Sequence, residues 1–190
     1  MALSTRTLSC PVPANINPLQ NNGFLFSIQK LPDMQYFCQE VPLPGMTLPP
    51  AQVNSPFSTV FIPGDKINYE QLTIIFMINE TLSNYLAISA WITAMGFPED
   101  REQYKSFIDA QIDNTHMMSE LSKGYSDGVL SILGNDRQPI RSIEFIDLYP
   151  TSIGSLQMKS VNNDTTYLVG QATFLYNYYK ILPVVQNIVV

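Results

Sequence analysis

The sequence predicts a mainly β (α+β) domain: an antiparallel β-sandwich or barrel of about seven strands with one flanking helix. Three observations predict it. Apolar residues alternate with polar ones over short segments punctuated by Pro, Gly and Asn, which is the period of strands. One clear segment, around Trp91, changes to helical spacing. The 190 residues, 45% apolar and 11% aromatic, suffice for one packed core, and no internal repeat or composition break divides them.

Residues 1–22 are rich in Pro, Asn and Ser and read as an extended N-terminal arm. A single β domain follows over 23–182, with a polar insertion at 97–124, and 183–190 form an apolar C-terminal tail. In "GFLFSIQKL" (Gly23–Leu31) Phe24, Phe26 and Ile28 point one way. Pro32-Asp33 predicts a turn and "QYFCQEV" (Gln35–Val41) a second strand, hence a hairpin. "VPLPGMTLPP" (Val41–Pro50) carries four prolines and offers few N–H groups to a sheet. A short strand at Ser58–Ile62 and a turn at Pro63-Gly64-Asp65 lead into a long strand from Asn68 to Asn79. There Leu72, Ile74, Phe76 and Ile78 form one face; Gln71, Thr73, Ile75 and Met77 form the other. A strand so apolar on both faces is buried on both sides or covered by another subunit.

Tyr85, Ile88, Ile92 and Met95 form the helical stripe, with Thr81 or Ser83 to cap its start and Gly96 its end. Trp91 packs this helix onto a sheet. Helical pieces are expected within the insertion at 99–112 and 115–122. Three strands close the chain. Ser126–Gly134 turns at Asn135-Asp136. In Ile140–Pro150 the apolar residues shift between faces, the mark of a bulge or of two-sided burial. Tyr167–Leu182 places Ala172, Phe174, Tyr176 and Tyr178 on one face and Gln171, Thr173, Leu175, Asn177 and Tyr179 on the other. Phe26, Phe76, Trp91 and Phe174 are the core candidates.

Charged residues are only 14%, against the usual quarter or so. With ten Tyr and ten Phe, this points to a surface covered by neighbours. The net charge of −6, with ten scattered Lys and Arg, excludes a phosphate-gripping protein. It is compatible with a polyanion passing without adhesion. Cys10 and Cys38 make neither a disulfide framework nor a zinc pattern, so free thiols in a reducing compartment are expected. The sequence predicts no signal peptide and no membrane span, hence a cytoplasmic origin. His116 is the one histidine, which leaves no room for a histidine metal set and little for a catalytic pair. No Gly-rich phosphate cradle is present. "PEDRE" (Pro98–Glu102) reads as a solvated turn, and "NNDTT" (Asn162–Thr166) lacks the ligand spacing of a calcium loop. Neither an enzyme nor a cofactor is expected.

The order of features carries more than any one of them. "FCQEVPLPG" (Phe37–Gly45) is followed by "PGDKINYEQLTIIFMINE" (Pro63–Glu80), a helix with a central Trp, "IEFIDLYPTSIGSLQ" (Ile143–Gln157) and an aromatic last strand (Tyr167–Tyr179). This order resembles the tail tube protein family of contractile-tailed bacteriophages. It covers most of 23–182, and "LYPTSIG" and "GDKINYEQLTI" are its most specific pieces. The resemblance implies a structural virion protein, a phage tail subunit assembled in the bacterial host cytoplasm. It implies hexameric rings stacked into a tube, double-stranded DNA passing through, and tail sheath and baseplate proteins as partners. It also implies that the excursion at 42–66 reaches the adjacent ring. Leu43, Pro44, Met46, Leu48, Phe61, Pro63 and Asp65 are then the ring-stacking candidates. Gln71, Thr73, Gln171, Thr173, Asn177 and Glu144 are candidates for the bore, with Glu70 and Asp147 as further sources of negative potential. The length of the insertion and of the N-terminal arm makes a tube-like baseplate initiator the alternative. A monomeric β-sandwich binding module is the alternative from another class.

Overall fold

The structure, a computed structural model, describes residues 16–54, 56–96, 124–159 and 167–183. Several expectations lie outside the described residues: most of the arm at 1–22, Cys10, Pro98–Glu102, the helical pieces at 99–112 and 115–122, His116, Asn162–Thr166 and the tail at 184–190.

The strands are β1 (Phe24–Ile28), β2 (Cys38–Glu40), β3 (Met46–Thr47), β4 (Ala51–Asn54), β5 (Thr59–Ile62), β6 (Asn68–Tyr69), β7 (Leu72–Met77), β8 (Ser126–Leu133), β9 (Pro139–Ile153), β10 (Val169–Leu175) and β11 (Tyr178–Pro183). The helices are α1 (Met34–Phe37) and α2 (Ser83–Gly96). Seven strands make the main sheet, and all its pairings are antiparallel. It folds into two layers that share β9. One layer runs β1-β8-β9-β11, the other β9-β10-β7-β2. The result is a barrel-like sandwich that stays open between β1 and β2.

The long strand β9 makes this possible. Its first part pairs β8 on one edge and β11 on the other, while Tyr149–Ile153 pair β10. Ile143 and Phe145 are buried, but the next buried positions are Leu148 and Pro150. The period of two has slipped by one residue. The slip sits at Asp147, whose φ of 56° lies in the left-handed region that Asp tolerates better than most residues. The facing strand slips at the same place. Ala172, Phe174 and Tyr176 point inward, and then Tyr179 does, not Tyr178. Asn177 bonds the two slips together: its N–H donates to the Ile146 carbonyl (3.1 Å) and its Nδ2 to Asp147 Oδ2 (2.7 Å). The expected strand Tyr167–Leu182 is therefore two strands around a corner, and the face assigned to Tyr178 and Tyr179 is exchanged.

The core is a single cluster. Phe26, Leu72, Ile74, Phe76, Ile143, Phe145, Leu148 and Phe174 are wholly buried within it. Burying each such side chain contributes about 1.5–3 kcal/mol. Helix α2 buries Asn84, Ile88, Trp91 and Ala94, with Tyr85, Ile92 and Met95 half-buried beside them. Ser83 opens the helix and receives a hydrogen bond from the Asn79 amide. Asn84 Nδ2 donates to the Met77 carbonyl (2.7 Å), tying the helix to the end of β7. Trp91 is 2% exposed and meets Phe174 at 6.3 Å between centroids. Its indole N–H donates to the Gly124 carbonyl at 3.0 Å.

Two further expectations are corrected. β1 and β2 are not a hairpin: β1 pairs β8 and β2 pairs β7. Between them Met34–Phe37 form a helical turn, because Pro32 presets a helical φ just ahead of it and Met34 is drawn into the core. The strand expected over Asn68–Asn79 is broken at Glu70 and Gln71, because the backbone of Glu70 is committed to contacts outside the main sheet.

Trp91→Ala should destabilise the subunit by about 3–5 kcal/mol, as expected for a large buried aromatic. A melting temperature equal to that of the unaltered chain would show that the indole does not hold the helix to the sheet.

Candidate functional site

From Val41 to Pro63 the chain holds no charged residue. This segment leaves the barrel, turns and comes back as a two-stranded arm. Near the body β3 pairs β6, with Met46 opposite Tyr69. Further out β4 pairs β5, from Ala51 opposite Ile62 to Asn54 opposite Thr59. At the waist between the two ribbons the chains approach closely. A Cβ at Gly64 would stand 2.1 Å from the Pro49 carbonyl oxygen, so only glycine fits there.

Every residue of β4 and β5 is exposed. Phe57 is 97% and Phe61 62% exposed, and Val53, Val60 and Ile62 are each about half exposed. A lone two-stranded ribbon is marginal in water, and an exposed apolar surface of this kind marks an interaction site. Of the stacking candidates, Leu43, Met46, Leu48, Phe61, Pro63 and Asp65 lie exposed along the arm. Pro44 does not. It is buried, and its carbonyl accepts a hydrogen bond from the Tyr179 hydroxyl (3.4 Å), so it belongs to the arm's root.

That root is aromatic. The Tyr69 ring lies 6.0 Å from Tyr176 and 5.3 Å from Tyr179, and Phe145 backs both. Tyr176 donates to the Glu70 carbonyl at 2.9 Å. The Glu70 N–H donates to the Gly45 carbonyl (3.0 Å), and the Gly45 N–H donates to Glu70 Oε2 (3.2 Å). Burial pushes the Tyr176 phenol up to about 12, helped by the neighbouring Tyr179, Tyr69 and Glu70. Burial also raises Tyr179, with Tyr69 adding to it. Both hydroxyls remain donors across the ordinary pH range. Glu70, a candidate source of negative potential in a bore, places its carboxylate on the Gly45 N–H at this root.

The bore candidates separate. Thr73 faces Thr173 across β7 and β10, with their hydroxyls 3.4 Å apart, and Gln171 pairs with Ile75 on the same outward face. Gln71 enters this strand exposed. No residue of β7 or β10 is charged. Glu144 lies on the other layer, between Val129 and Lys180, and turns away from the core there. Asn177 is at the corner, bound to Asp147. One surface can hold the threonines and glutamines, and Glu144 is not on it.

The edges are open. Among the described residues β1, β2 and β11 each pair on one side only. An open cleft of about 400 Å³ separates β1 from β2, lined by Asn22, Phe24, Gln35, Cys38 and Gln39 among others. Burial pushes the Cys38 thiol up to about 12, against a smaller lowering by a backbone hydrogen bond from Glu40, so it stays a thiol across the ordinary pH range. Burial also brings Lys30 down to about 8; its ammonium lies 5.1 Å from the Trp91 ring centroid. No cluster of His, Cys, Asp and Glu among the described residues can hold a metal. No described helix is long and apolar enough to cross a membrane.

The sequence missed the tyrosine root altogether. Its signal was present, since Tyr176 and Tyr179 are spaced by three in a supposed strand, a spacing that puts both on one face only if the strand slips.

Cys38, Tyr176 and Tyr179 are all held protonated in the fold at a pH where the unfolded chain has begun to lose those protons. The stabilisation from Cys38 and Tyr176 is complete below their ordinary 9.0 and 10.0, and is lost as the pH climbs to about 12. The melting temperature should fall over that interval, and less steeply in Tyr176→Phe combined with Cys38→Ser. A flat profile in the unaltered chain would contradict the burial of these groups.

No curated protein is significantly similar to the sequence. Among solved structures, a chain of the anti-feeding prophage baseplate superposes with a TM-score of 0.58 at 12% identity, over 88% of this chain and 97% of that one. A chain of the anti-feeding prophage cap, which terminates the tube, gives 0.55 at 13%, over 93% and 99%. A chain of the sheath–tube complex of PVC, an extracellular contractile injection system, in its extended state gives 0.52 at 13%, over 88% and 93%. At these identities the likeness is one of fold. The family assignment comes from the sequence itself: residues 8–182, nearly the whole chain, match the family model described as phage tail tube protein. The chain belongs to the phage tail tube protein family.

Proposed function

We propose that copies of this chain close into hexameric rings, and that the rings stack into a tail tube enclosing the path of double-stranded DNA. Tail tube proteins are structural, not enzymatic. The observation that carries this reading is the β4–β5 ribbon, uncharged and exposed along its whole length. Among the described residues, a single copy gives it nothing to bury against. In a ring, the open edges of β1, β2 and β11 pair with edges of neighbouring copies, which removes them as templates for uncontrolled pairing. Along the axis, Leu43, Met46, Leu48, Phe61 and Pro63 carry the arm onto the next ring, and Asp65 lies at its rim. Gln71, Thr73, Gln171 and Thr173 line the bore with polar, uncharged groups. A surface without cations lets a polyanion slide past without counterion-releasing contacts. Sheath and baseplate proteins cover the outside and the end of such a tube in the virion, after assembly in the host cytoplasm.

Size-exclusion chromatography at rising concentration, with negative-stain imaging, tests the reading. Sixfold rings or tubes are expected; a 21.4 kDa monomer that persists at every concentration would overturn it. The number of copies per particle separates a repeated subunit from a baseplate initiator. Phe57→Asp combined with Phe61→Asp should leave subunit stability within about 0.5 kcal/mol, as for other exposed positions, and abolish tubes. Normal tubes from this variant would free the ribbon from any role in stacking.

A further inference from the structure

We propose that Tyr176 and Tyr179 act as a two-point clamp that fixes the direction of the arm on the barrel before any ring forms. This deepens the tube reading and rests on it for its consequence in assembly; the clamp itself rests on the geometry of one subunit.

In a regular strand, residues three apart point to opposite faces. Tyr176 and Tyr179 both point inward because the sheet turns its corner between them. The corner thus brings two hydroxyls to the root of the arm. Each takes one of its two strands. Tyr179 holds the outgoing chain at the Pro44 carbonyl, and Tyr176 holds the returning chain at the Glu70 carbonyl. One contact would leave the ribbon free to swing; one on each strand sets a direction. Between the two grips the outgoing and returning chains are themselves locked, through the paired Gly45 and Glu70 backbone bond and the Glu70 carboxylate on the Gly45 N–H. A Cβ at Gly45 would stand 2.8 Å from that carboxylate oxygen. Tyr69, opposite Met46 in the first ribbon, packs its ring against both tyrosines, whose own centroids are 6.2 Å apart. Further out, the Gly64 waist admits no side chain. Stiffness therefore runs from the corner to the ribbon, and the arm is presented in one orientation.

Preorganisation of this kind lowers the ordering cost of each ring contact. If the clamp is removed, only a fraction of subunits hold the arm in a competent direction, and apparent affinity falls by that fraction.

The test uses the full chain, with Cys10→Ser and Cys38→Ser, and spin labels at Gln52→Cys in β4 and Ala90→Cys in α2. Pulsed electron resonance on the dilute subunit should give one narrow distance distribution. Tyr176→Phe with Tyr179→Phe should broaden it and raise the concentration needed for polymerisation by about tenfold, the effect of a competent fraction near one-tenth. Tyr85→Phe removes a hydroxyl that bonds the Gly154 carbonyl, away from the arm, and should change neither readout. A distribution already broad in the parent protein, or one left narrow by the double substitution, overturns the clamp. Should the double variant fail to fold, each single variant is read in the same way. A parent that never polymerises counts against the tube reading alone, since the distance distribution still judges the clamp.

Discussion

A sheet that stops in the middle of space leaves a row of N–H and C=O groups without partners, and this constraint shapes the whole molecule. Among the described residues the seven strands wrap far enough to make one core but not far enough to meet, so that β1 and β2 face each other across a cleft and β11 pairs on one side only. Small soluble domains usually close such edges, cover them or guard them with charge. Here there is little charge to guard with, since only 14% of residues carry any. The same economy holds in the arm, where apolar side chains stand out from the body with no charged residue among them. Bare edges and a bare ribbon are liabilities in a monomer and become contacts in a polymer.

The corner at Asp147 and Asn177 links these features. It lets one long strand serve two layers, so a chain of this length encloses a core. It also turns Tyr176 and Tyr179 to the same side, where they grip the arm's root. The element that completes the subunit's interior is therefore also the element that holds the root of the exposed arm. Trp91, held between Lys30, Phe174 and Gly124, fastens α2 on another side of the same core. Rigidity inside the subunit and self-complementarity outside it are both needed by a structure built from many copies.

Much of the fold was legible in the sequence because burial imposes a simple period. Leu72, Ile74 and Phe76 alternate cleanly and are buried as the alternation says. The helix around Trp91 announced itself by spacing, though its buried stripe of Asn84, Ile88, Trp91 and Ala94 shares only Ile88 with the apolar one, because Asn84 satisfies a strand carbonyl instead of facing water. The shift of faces within Ile140–Pro150 was legible as a bulge or two-sided burial; what escaped was the place of the slip and the matching one between Tyr176 and Tyr179. The left-handed turn of Asp147 inverts the faces that follow it, and no local pattern marks Asp as the residue that will turn. The partners of β1 and β2 escaped as well, since adjacency in sequence suggested a hairpin while the core drew Met34 in and sent the strands to different neighbours. Of the candidate site, the uncharged, proline-stiffened excursion could be read directly. Its root could not, because the hydroxyls of Tyr176 and Tyr179 and the carbonyls of Pro44 and Glu70 meet only once the corner has formed.

The central claim is that backbone and apolar surface left uncovered in one copy are covered by others. Amide hydrogen exchange, followed in β1, β2, β11 and the β4–β5 ribbon, measures this directly. In the dilute subunit the outward amides of these strands should exchange quickly, while β9 and β10 stay protected. On assembly the edge and ribbon amides should slow by orders of magnitude. Edges already protected in the dilute subunit, or edges that exchange as fast in the assembled state, would contradict the account.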